Sequence, residues 1–83
     1  MEKELGHITH YYSKIGVAVV EITSGSLKVG ETIHVKGHTT DFSQTVESIQ
    51  QEHQQILEAK KGDSIGLKVE EPVRVGDLVL KGE

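Results

Sequence analysis

Val17-Ala18-Val19-Val20-Glu21-Ile22-Thr23-Ser24-Gly25-Ser26-Leu27-Lys28-Val29-Gly30-Glu31-Thr32-Ile33-His34-Val35-Lys36 is the stretch whose reading decides the fold. Period-two alternation places Ala18, Val20 and Ile22 on one face of a strand running from Val17 to Thr23. The opposite face carries Val17 and Val19, so this strand is expected to be buried on both sides. Ser24-Gly25-Ser26 is a turn signal. Glu31 to Lys36 then alternates cleanly, with Ile33 and Val35 inward and Thr32, His34 and Lys36 outward.

The pattern extends in both directions. Val29-Gly30-Glu31-Thr32-Ile33 recurs as Lys61-Gly62-Asp63-Ser64-Ile65 and as Val75-Gly76-Asp77-Leu78-Val79. Each copy reads as a turn feeding a strand. The glycine supplies a positive φ at little steric cost, and the acid can bond nearby backbone amides. The strands so launched are Ser64 to Val69, with Ile65, Leu67 and Val69 inward, and Leu78 to Lys81. Leu5 to Tyr12 forms a first strand with Ile8 in the core. Val and Ile supply 17 of the 29 apolar residues, which favours strands and counts against disorder.

Ser43 to Lys61 fits this scheme least well. Val46, Ile49, Ile56 and Leu57 have helical spacing, Asp41 or Ser43 could cap a helix, and Gly62 could end it. Local rules lean to an amphipathic helix. A bulged strand or two short strands also accommodates Val46 and Ile49.

Eighty-three residues make one small domain, read here as residues 1–83. So small a domain buries only about 60% of its extended surface, which disfavours a deep catalytic pocket. Without cysteine there is no disulfide, no thiolate metal site and no cysteine nucleophile. No apolar run spans a membrane, and Met1-Glu2-Lys3-Glu4 lacks the apolar region of a secretory signal. The expectation is a cytoplasmic protein without membrane contact. Thirteen acids against nine bases give a net charge of -4, which disfavours non-specific nucleic-acid binding but leaves room for a local basic patch.

Taken in order, Ser13 to Ile22, Gly25 to Val35, Thr45-Val46-Glu47-Ser48-Ile49, Ala59 to Leu67 and Val73 to Val79 resemble the second domain of translational GTPases such as elongation factor Tu. The resemblance runs from about Gly6 to Lys81. Small free-standing bacterial proteins labelled translation elongation factor-like are similar too. The resemblance implies an all-β fold, a closed antiparallel β-barrel of six or more strands. It overrides the local helix reading: Ser43 to Gln51 becomes a strand, and Ile56-Leu57 belongs to the crossing to the next turn.

Few residues point to chemistry. There is no G-x-x-x-x-G-K-[ST] loop, so GTP binding by this chain alone is not expected. His7 and His10, three apart on a strand, should face opposite ways, and His34, His38 and His53 are scattered. No metal site and no cofactor are expected. Asp63 and Asp77 have turn roles, Glu70-Glu71 lie in a loop, and no nucleophile signature occurs, so an enzyme is not expected. The loop Gly37-His38-Thr39-Thr40-Asp41-Phe42 reads as a tight hairpin, with recognition through Phe42 as the rival. In the family, the turn matching Ser13-Lys14-Ile15 commonly carries G-R-G, whose arginine helps bind aminoacyl-tRNA. Here Lys14 replaces the arginine without its bidentate fork, and only Gly16 remains nearby. The reading is therefore a non-catalytic module whose partner is RNA, the ribosome or a translation-related protein, contacted through Tyr12, Lys14, Lys36 and His38. The alternative is a protein-interaction adaptor beside a neighbouring enzyme, with no RNA role.

Overall fold

The computed structural model describes residues 3–81. Ten strands follow in chain order: β1 Lys3–Tyr12, β2 Val17–Ile22, β3 Ser26–Lys28, β4 Thr32–Lys36, β5 Asp41–Thr45, β6 Ile49–Gln51, β7 Gln54–Ile56, β8 Glu58–Lys60, β9 Ser64–Lys68 and β10 Leu78–Lys81. Eight form one antiparallel sheet in the order β5-β4-β10-β1-β2-β9-β6-β7. β3 and β8 form a separate two-stranded ribbon. There is no helix among the described residues.

Alternation works as the sequence implies. Ala18, Val20, Ile22, Ile33, Val35, Ile65 and Leu67 are all buried in one core. The ribbon adds Leu27 and Ala59, both fully buried. The three glycine-acid turns are near copies of one another. Gly30, Gly62 and Gly76 have φ of 98°, 95° and 96°. In each, the following acid turns back on the residue three positions earlier. Glu31 Oε1 accepts the Lys28 amide at 2.7 Å, Asp63 Oδ2 the Lys60 amide at 2.9 Å, and Asp77 Oδ2 the Arg74 amide at 2.9 Å. Backbone bonds from Glu31, Asp63 and Asp77 to the carbonyls of Lys28, Lys60 and Arg74 complete type II turns.

The expected closed barrel needs correction. The sheet rolls around its core, but no hydrogen-bonded ladder joins β5 to β7 or β9. Gln44 bridges the opening instead. It is buried on the inward face of β5. Its Nε2 donates to the Lys68 carbonyl at 2.8 Å, and its Oε1 accepts the Glu70 amide at 2.8 Å. One side-chain amide thus replaces a rung of backbone pairing between β5 and the end of β9. The strand expected from Ser43 to Gln51 is also broken. β5 ends at Thr45, and β6 begins at Ile49 against β9, on the other flank of the sheet. Residues 46–48 make that crossing. Alternation restarts after it, which is why Val46 and Ile49, three apart, are both buried. The helical spacing was a phase reset between two strands.

A bulge corrects a second expectation. In the β1–β2 pairing, Ile8 faces Val20 and His10 faces Val19, so Thr9 is the extra residue. The bulge reverses the parity of β1. His7 and His10 consequently both lie on the outer surface, opposite Glu21 and Val19, rather than on opposite faces.

Candidate protein-docking trough

The outer face of β2 carries Val17 and Val19 where a small sheet protein usually presents polar groups. One cross-strand row runs His10–Val19–Gly66–Gln50, and the next runs Tyr12–Val17–Lys68. Val17 and Val19 are half-buried. Gly66 presents no side chain beside them. A Cβ there would stand 3.3 Å from Val17 Cγ1 and 3.9 Å from the Gln50 carbonyl oxygen. The result is a trough with Val17, Val19 and Gly66 as its floor.

Two hairpins form its walls. The β1–β2 turn contributes Tyr12, 50% exposed, and Ile15, 65% exposed. That turn is held by bonds from the Ile15 and Gly16 amides to the Tyr12 carbonyl, with Gly16 at φ 67°. The β6–β7 turn contributes Gln50, Glu52 and His53. Gln51 and Gln54 pair across a two-residue loop whose central residues, Glu52 and His53, have φ of 51° and 66°. Two successive positive φ values are the mark of a type I′ hairpin, which favours Asn-Gly. Glu-His occupies it at a cost in backbone strain. The exposed Lys68 faces Val17 at one end of the trough.

The structure does not unite the four residues singled out from the sequence. Tyr12 lies on the trough wall, and the exposed Lys14 sits on the tip of the same turn. Lys36 and His38 belong to the β4–β5 hairpin, with β10 and β1 between them and β2. Lys36 pairs with Leu78, and Leu78 with His7. That level is five residues from Tyr12, roughly 16 Å along the strand at ~3.3 Å per residue. Both hairpins leave the same end of the sheet, with two strands between β4 and β2. Phe42 is half-buried and packs against the core. The Gly37 amide bonds the Thr40 carbonyl at 2.7 Å, closing the tight hairpin. Tyr11 likewise packs against the core.

Electrostatic contacts elsewhere are structural. The His34 Nε2 bonds Asp41 Oδ1 across β4 and β5. That bond holds the Asp41 carboxyl below its usual range, against a smaller opposing effect of desolvation and with help from the charges of His34 and Lys36. Glu31 Oε2 meets Lys81 Nζ at 2.7 Å. This bond lowers the Glu31 pKa, opposed by desolvation and assisted by the Lys28 amide. His7 lies 3.5 Å from Glu21. Among the described residues, no three His, Asp or Glu side chains converge as a metal site would require.

Sequence reasoning noted that Val17 and Val19 make β2 apolar on both faces. It missed that the outer face stays half-open, because that depends on Gly66 lying beside them. It also missed Gln44 and the Glu52-His53 turn. A lone glutamine in phase with Val46 was the available signal for Gln44.

A rolled, all-β, translation-factor-type domain with a single core is the class these features define. The sequence model for elongation factor Tu domain 2 matches residues 16–80, and the chain belongs to that family. Curated relatives that it matches are named as proteases. It is 39% identical over 77 residues to an uncharacterized protease of Methanocaldococcus jannaschii, covering 92% of this chain and 19% of that protein. It is 44% identical over 72 residues to a collagenase of Porphyromonas gingivalis, covering 86% of this chain and 20% of that protein. The chain thus spans about a fifth of the length of the curated relatives it matches. In fold it matches crystal structures of the C-terminal domain of a Geobacillus thermoleovorans protein described as a U32 peptidase. TM-scores are 0.89 and 0.90 at 21% and 20% identity, with 95% and 98% of this chain and 99% and 93% of those chains covered.

Proposed function

We propose that this domain is a non-catalytic protein-interaction adaptor that serves a peptidase of the U32 type, with no RNA role. One observation carries the reading: similarity to the proteases spans nearly all of this chain but only about a fifth of theirs. The shared part is a separable accessory unit, and the rest of each protease lies outside it. The trough agrees with this. Its apolar floor and aromatic wall suit a protein surface, and Lys68 and Lys14 at its margins are isolated cations rather than the dense set that phosphate binding draws on. Lys14 lies on a different hairpin from Lys36 and His38, which favours the adaptor reading.

The test is capture with the tagged chain in the cells that make it, after nuclease digestion. A U32-type peptidase should be enriched, and charge reversal at Lys14→Glu and Lys36→Glu should leave that enrichment intact. Salt-sensitive recovery of tRNA or ribosomal subunits, lost in the same double variant, would restore the RNA reading.

A further inference from the structure

We infer that the trough between the β1–β2 and β6–β7 hairpins is where the domain seats a bulky apolar side chain from the body of its peptidase. The inference rests on the adaptor reading and specifies its contact. Three observations bear on the occupant. First, β2 is apolar on both faces, but only its inner face is covered within the domain: Ala18 and Val20 are buried, whereas Val17 and Val19 are not. Second, the floor has a glycine at the one position where a side chain would fill it, 3.3 Å from Val17 Cγ1. Gly66 has no positive φ to explain the choice, so the backbone does not require it. The nearest atom is a Val17 side-chain carbon, so a side chain here would crowd the floor. Third, about four-fifths of each curated relative lies beyond the matched segment. A domain of this kind therefore has a large protein body as its covalent neighbour in those proteins.

The rim narrows the chemistry. Tyr12 supplies a rigid ring with a polar tip, the type of residue that dominates binding energy at protein contacts. Glu52 and His53 belong to the other wall, and Lys68 faces Val17 at one end of the floor. An aliphatic or aromatic side chain flanked by a base fits, the base facing Glu52. The strained Glu52-His53 turn holds that wall in place.

The experiment places this chain in the full-length P. gingivalis collagenase, in exchange for its matching segment, and compares footprinting of side chains in the chimera and in the free chain. Tyr12, Ile15 and Val19 should be labelled several-fold less in the chimera. Gly66→Thr should abolish that protection while leaving the free domain folded, because its close contact is with the Val17 side chain rather than with backbone and threonine suits a strand. Val19→Lys should do the same by placing a charge on the floor. Protection on another face, undisturbed by either variant, overturns the trough and leaves the adaptor reading standing. No protection anywhere on the domain overturns both. Protection of the trough that grows with concentration in the free chain, with a matching dimer in sedimentation, makes a second copy the occupant and overturns the inference.

Discussion

Replacing Gln44 by leucine tests how the rolled sheet is held shut. The side chain is similar in size, so the cavity term is small, and the loss isolates two hydrogen bonds of 2.8 Å. Without them the Lys68 carbonyl and the Glu70 amide lose their partners. Each buried unsatisfied group costs roughly 1–3 kcal/mol. The pair therefore costs about 2–6 kcal/mol, nearer the lower figure if water reaches the flanks of Lys68 and Glu70. A domain of this length has a total stability of roughly 4–12 kcal/mol, so the loss is a large fraction of it. Urea denaturation should show the midpoint falling at unchanged slope, and thermal melting should drop by more than about 10 °C. Hydrogen exchange at the Glu70 amide should accelerate beyond the global change, since that amide donates directly to Gln44. Gln44→Glu gives a second handle. An ionised carboxylate still accepts from Glu70 but opposes the Lys68 carbonyl. A protonated one can donate to it. The folded state therefore raises the pKa of the new acid, and the variant should be most stable in acid and lose stability as pH rises through that pKa. A loss under about 0.5 kcal/mol in Gln44→Leu, with Glu70 exchange unchanged, would refute the closure argument.

Gly6→Ala should be severe, because its Cβ would stand 2.1 Å from the Glu21 carbonyl oxygen and 3.0 Å from the carbonyl carbon. Backbone cannot move aside as a side chain can, so β1 must separate from β2, and calorimetry should show a loss at or above the ~1–3 kcal/mol usual for overpacking. The double variant Glu52→Asn, His53→Gly should gain about 1–2 kcal/mol by relieving the positive φ values at the β6–β7 turn; an unchanged denaturation midpoint would show that the turn stores no strain. Glu31 has a folded pKa below its ordinary 4.5. Its contribution is therefore present above that value and lost as pH falls through the folded pKa. Glu31→Gln should flatten part of the acid limb of the stability curve, and a limb unaltered as pH falls below 4.5 would contradict the Lys81 contact.

Domain 2 of a translation factor and an accessory unit of a protease draw on the same rolled sheet. Fold alone does not decide between them. What separates the two readings in this chain is the surface. Lys14 and Lys36 stand on different hairpins, whereas Tyr12, Ile15, Val17 and Val19 converge beside a bare glycine.

The amino-acid sequence by itself determined the strands of the alternating stretches and the three glycine-acid turns. Both are local. The alternation of Ala18, Val20 and Ile22 reports one face of one strand, and the Gly30, Gly62 and Gly76 turns are closed by residues three positions apart. Tertiary structure decided everything that depends on partners distant in the chain. Gln44 became a closure because Lys68 and Glu70, more than twenty residues away, present backbone groups to it. His7 and His10 came to the same face because one bulge shifted the register of β1 against β2. The spacing of Val46 and Ile49 imitates a helix because the chain leaves one sheet edge and rejoins the other flank between them. The trough exists because Gly66 of β9 lies opposite Val19 of β2. Periodicity records how a residue faces within its own strand, and it carries no record of which strand will lie alongside.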